Sequence, residues 1–174
     1  EPAEMAIKAA EEAVTITKAE AVKVLPDEVK SLEDALVAVK ERFIKKEYKE
    51  ALAEATALAN KAKQVLDAAK VKKEELTKKW TDMNATFPKM VEDVKAKVNS
   101  LAKVKKLPAG MSKEALEEAK AGIASVEGEW TKAMESFTAG NLKDAVGMAD
   151  SLKDKVLKIM TSLGMDTSSS ELKQ

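Results

Sequence analysis

Apolar residues recur along this chain at steps of three and four rather than two, which predicts helices and no strands. The longest such run is Leu52, Ala55, Ala59, Ala62, Leu66, Ala69, Lys73, Leu76, Trp80, Met83 and Phe87, with only Lys73 polar. A second stripe, Tyr48, Ala51, Leu58 and Val65, shares Ala55, Ala62 and Ala69 with it. The front half of that helix is therefore apolar over a wide arc and reads as central, with small residues that admit close neighbours.

Proline and glycine cut the pattern into six predicted helices. The first opens at Pro2 and closes before Pro26. The second opens at Pro26, with Asp27 and Glu28 placed favourably for the positive end of a helix dipole. The third covers about 47–84. A fourth starts at Pro88, because an interior proline removes a backbone donor and clashes with the preceding turn, and it stops near Lys106 before Pro108 and Gly110. Ser112 is a suitable N-cap for the fifth, which runs to Ala139 ahead of a left-handed turn at Gly140. The sixth runs from Asn141 to Gly164, with Met165 folding back on Met160. The expected architecture is an all-α, six-helix antiparallel bundle in one domain, 1–164, followed by a disordered polar tail, 165–174.

One segment occurs twice. At a constant offset of 94 positions, Phe43 falls on Phe137, Tyr48 on Leu142, Ala51 on Ala145, Ala55 on Ala149, Leu58 on Leu152, Lys61 on Lys155 and Leu66 on Met160. "VKVLP" at 22–26 is also echoed by "VKKLP" at 104–108 at a different offset. The reading is two pseudo-repeated three-helix units, 1–85 and 86–164.

"FIKKEYKEALAEATAL" and "FTAGNLKDAVGMADSL" share Phe, four residues, Tyr or Leu, two residues, Ala, three residues, Ala. This spacing resembles the tetratricopeptide-repeat hairpin, and the resemblance implies close helix pairs and a peptide-binding groove. The chain departs from that family in the length of its third helix, in lacking the period of about 34 residues, and in the separation of the two copies. As a whole it also resembles uncharacterised exported helical proteins of bacteria, in which a Trp-containing helix leads into such a hairpin. That likeness implies no activity.

Composition narrows the chemistry. Thirty basic and thirty acidic residues cancel, so no global field favours nucleic acid or anionic lipid. Arg42 is the only arginine, which leaves little for bidentate capture of phosphate or bases. With no Cys and no His, thiolate nucleophiles, Cys/His zinc sites and imidazole acid-base chemistry are out of reach, and neither enzyme activity nor a cofactor is expected. Aromatics are 3% of residues against 34% charged, the composition of long helices. No run of about 18 apolar residues predicts a membrane span. The start at Glu1, without Met, suggests a periplasmic or secreted protein.

The candidate contacts are aromatic. Trp130, Met134 and Phe137 share a helical face, and Trp80, Met83, Phe87 and Met90 form a matching cluster. Base rates favour core packing for such stripes, while aromatic anchors also mark protein contacts. Trp80, Trp130 and Phe137 are the residues expected to engage a protein partner or a second copy. The acidic pairs Glu11–Glu12, Glu74–Glu75 and Glu117–Glu118 read as solvated helix faces, and Ser168, Ser169 and Ser170 as tail. The sequence thus suggests a non-enzymatic structural or protein-interaction module. The alternative is an apolipoprotein-like bundle that lays amphipathic helices on lipid.

Overall fold

The computed structural model describes residues 1–167 and is all-helical there. Five helices are present among the described residues: α1 (Pro2–Ala21), α2 (Pro26–Ile44), α3 (Tyr48–Ala102), α4 (Lys113–Thr138) and α5 (Leu142–Ser162). The expected sixth is missing because the predicted third and fourth are one 55-residue helix with Pro88 inside it. Pro88 cannot donate to the carbonyl of Asn84, at a cost of about 3 kcal/mol in a helix interior. Both residues are exposed, so water reaches the orphaned carbonyl. Meanwhile Met83, Phe87, Met90, Val94, Val98 and Leu101 are all buried at helical spacing across the proline. Packing on both sides holds the helix through it.

The chain divides into two compact units, Glu1–Glu75 and Leu76–Gln174. In unit 1, α1 and α2 form a hairpin through a turn at 22–25, and the first part of α3 packs with them. Ala10, Val14, Ala21, Val29, Leu32, Val39, Ala55, Leu58 and Ala62 are buried. Thr17 is the one buried polar residue among those described, and its hydroxyl donates to the Ala62 carbonyl at 3.0 Å. Alanine at 51, 55, 62 and 69, each wholly buried, brings α3 close to its neighbours. The buried stripe here is the second of the two read from sequence, and Leu52 is 37% exposed.

In unit 2, the remainder of α3 packs with the α4–α5 hairpin. Ser112 caps α4 as expected, its Oγ accepting from the Ala115 N–H at 3.0 Å. Gly122 lets Ile159 approach to 3.0 Å from where a Cβ would stand. Val126, Trp130, Ala133, Ala149, Leu152 and Val156 are buried. Gly164 takes φ 72°, and the Met165 N–H closes on the Met160 carbonyl at 2.9 Å. The expected tail lies, over 168–174, outside the described residues.

The α2–α3 and α4–α5 turns are built alike. Lys45, Lys46 and Glu47 donate to Glu41, Phe43 and Arg42 at 3.0, 3.0 and 2.9 Å. Ala139, Gly140 and Asn141, each 94 positions on, donate to Glu135, Phe137 and Ser136 at 2.9, 3.0 and 2.9 Å. Lys46 and Gly140 both adopt left-handed backbone, φ 65° and 85°. Lysine stands where glycine is usual, and a Phe43–Tyr48 edge contact, centroids 5.2 Å apart, brackets this first turn.

Candidate interaction surfaces

Steps of three and four place Trp80 and Phe87 on one face of α3, and Trp130 and Phe137 on one face of α4. In unit 2 the two faces meet, and the four rings interleave as Phe137, Trp80, Trp130, Phe87. Successive centroids are 4.9, 5.1 and 4.2 Å apart, with interplanar angles of 10°, 7° and 20°. Parallel stacking of this kind contributes about 0.5–1.5 kcal/mol per pair beyond area burial. The structure thus unites all three expected contact residues in one stack. Trp80 is 5% exposed and Trp130 is 8% exposed, while Phe137 is half-buried. Met134, placed with them from sequence, is 46% exposed and stands on the outer side of α4.

Beside the stack, Lys95 on α3 pairs with Glu127 on α4, over a 220 Å³ recess whose walls include Phe87, Pro88 and Trp130. The Glu127 hydrogen bond holds the Lys95 ammonium above the usual lysine range. On the far side of α4, Lys155 reaches from α5 to Glu129 at 2.9 Å, and Ser125 also donates to that carboxylate. Lys155, chiefly through its hydrogen bond, pulls the Glu129 carboxyl below its ordinary value.

Arg42 is committed internally. Its Nη1 donates to Glu47 and its Nε to Glu54, both at 2.7 Å, which ties the end of α2 to the turn and to α3. The hydrogen bond it donates to Glu47, followed by the attraction of Glu54, raises its pKa further. Glu11, of the first acidic pair, binds Lys40. Among the described residues no three acidic side chains gather closely enough to hold a metal ion. Among them also no helix is long and apolar enough to cross a membrane. Ser168, Ser169 and Ser170 lie outside the described residues.

No family model, curated protein or solved structure matches this chain. Its own geometry carries the functional argument.

Each helical hairpin has a groove along it. In unit 1 a 380 Å³ groove runs between α2 and α3, with Ala35, Ala38 and Ala57 at the rim and Leu32, Val39 and Leu58 below. Glu54 stands toward one end and Lys61 toward the other. In unit 2 a 500 Å³ groove between α4 and α5 is lined by Glu129, Lys132, Gly147, Met148, Ser151 and Leu152. Five of these six stand 94 positions after a residue lining the first groove. Glu129 of the second groove pairs with Lys155 of α5, whereas the first has no acid at the matching position, Ala35.

Sequence reasoning followed the aromatic residues and passed over this groove. The alanines at 35, 38 and 57 that line it are ordinary on a single helix and mark a groove only once α2 and α3 lie side by side.

Proposed function

We propose that the chain is a non-enzymatic helical module that binds protein through its helical hairpins. The observation that carries this reading is the open, apolar α2–α3 groove of unit 1, a surface shaped to receive a helix laid between two others. Two three-helix units related by duplication account for the matching turns, the shared register and the paired grooves. The likeness to tetratricopeptide hairpins belongs to the same reading, since small residues at matching places leave room for a partner. The stack of Trp80, Trp130 and Phe137 fixes the α4 face, with half-buried Phe137 and exposed Met134 offered at its edge.

Replacing Ala57 in the groove with a photo-crosslinking residue, and Asp150 on an exposed helix face as control, tests the reading in the native host. A discrete polypeptide adduct from position 57 and none from 150 supports it. Lipid held at fixed stoichiometry would instead move the apolipoprotein-like alternative ahead. No adduct and no lipid would overturn the binding role of the groove.

A further inference from the structure

Lys155 and Lys61 hold corresponding places in the two units, yet their surroundings differ. Lys155 pairs with Glu129, a wall of the second groove. The residue corresponding to Glu129 is Ala35, and Lys61 makes no ion pair among the described residues. A cation at the end of an apolar groove lacks the carboxylate that its counterpart has. Lys61 is exposed and solvated, and an occupant of the groove that carries a carboxylate would complete the pair.

Helix α1 carries a surface with matching properties. Met5, Ala9, Glu12, Ile16 and Ala19 recur at steps of four, three, four and three, and all are exposed, Met5 by 71% and Ile16 by 57%. The steps are those of a coiled-coil seam, turned outward with none of the described residues covering it. Glu12 in its middle makes no ion pair among the described residues. Glu12 and Ile16 are one turn apart, as are Lys61 and Ala57, about 6 Å in each case.

We propose that α1 of one copy docks into the α2–α3 groove of a second copy, with Glu12 on Lys61 and Ile16 over Ala35, Ala38 and Ala57. The matched one-turn spacing sets both contacts together when α1 lies antiparallel to α3. The alanine rim lets the helix axes approach closely and gives a branched side chain a hole to enter. Because stripe and groove are different surfaces, the contact is either reciprocated in a two-fold dimer or repeated head to tail. The inference rests on the interaction-module reading and names the partner as a second copy of the chain.

Sedimentation equilibrium over a wide range of chain concentration provides the test, with circular dichroism to confirm that each variant keeps its helicity. The wild type is expected to self-associate. Lys61→Glu and Glu12→Lys, both at exposed positions, should each weaken association roughly tenfold or more. The double variant should recover it, and Ile16→Lys should abolish it with charge pairing intact. A wild type that stays monomeric, single reversals without effect, or a swap that fails to rescue would each overturn the proposal. A monomeric wild type whose position 57 still crosslinks a foreign polypeptide overturns self-association and leaves the interaction module standing. Monomer with no adduct overturns both.

Discussion

Replacing Trp130 with alanine removes one of the two inner rings of the four-ring stack, the one held between Trp80 at 5.1 Å and Phe87 at 4.2 Å. The indole is 8% exposed, so truncation leaves a cavity rather than a solvated surface. Large-to-small changes of this type cost about 3–5 kcal/mol, and two lost stacking pairs at about 0.5–1.5 kcal/mol each place this site in the upper part of that range. Against a total stability of about 5–15 kcal/mol, the loss is severe. For a urea slope of about 2 kcal/mol/M the unfolding midpoint should fall by about 2–2.5 M. Far-UV circular dichroism follows the transition, and near-UV ellipticity reports the packing of Trp80. Trp130→Phe keeps a ring in the stack and should lose far less. A midpoint unmoved in Trp130→Ala, together with lost partner capture, would refute the packing argument and make Trp130 a contact residue.

Lys46→Gly should stabilise the chain by about 0.5–1 kcal/mol, since it removes left-handed strain at φ 65° at some entropic cost, whereas Gly140→Ala at φ 85° should destabilise it; thermal melts read both. Pro88→Ala restores a donor to the Asn84 carbonyl and should raise stability by about 1–3 kcal/mol, with an unchanged midpoint meaning that α3 has already absorbed the missing bond. The pH dependence follows from two shifted groups. Glu129 has its carboxyl depressed by Lys155, so its contribution is present above the unfolded value near about 4.3 and is lost as pH falls through the lower folded value. Lys95 is raised by Glu127, so its contribution is present below the unfolded value near about 10.4 and is lost as pH rises through the higher folded value. With no histidine to titrate in between, midpoints should be level from about pH 5 to about pH 9.5, and a step near neutrality would contradict this account.

The helical class, the start of α2 at Pro26, the Ser112 cap and the closure at Gly164 were legible because each depends on a few adjacent residues. The fate of Pro88 was not, because it turns on a contest between a local penalty and distant contacts. About 3 kcal/mol favours a break there. Phe87, Met90, Val91 and Val94 are all buried around it, and each such side chain contributes about 1.5–3 kcal/mol on burial. Their sum decides for continuity, and the apolar spacing that runs through the proline was the available sign. The seam of α3 was half legible for a related reason. Ala55, Ala62, Ala69, Leu76, Met83 and Met90 form one buried heptad row throughout, but the second row lies on one flank at Ala51, Leu58 and Val65 and on the other at Trp80, Phe87 and Val94. Which flank is buried depends on where neighbouring helices sit, and periodicity alone does not say.

The candidate site divides along the same line. Three aromatic residues were picked for their chemistry, and the fold joins them, because residues with the largest apolar area are those that packing gathers first. The α2–α3 groove is defined instead by what is missing: small side chains at 35, 38 and 57, and no acid opposite Lys61. Such an absence has no signature in a single helix, where an exposed alanine beside a lysine is ordinary. It acquires meaning only when the corresponding positions 94 residues on show a glutamate and a lysine paired. The repeated segment matters most for this reason. It lets one half of the chain serve as the reference for the other, and the place where the two halves differ in charge is where the proposed self-docking puts Glu12.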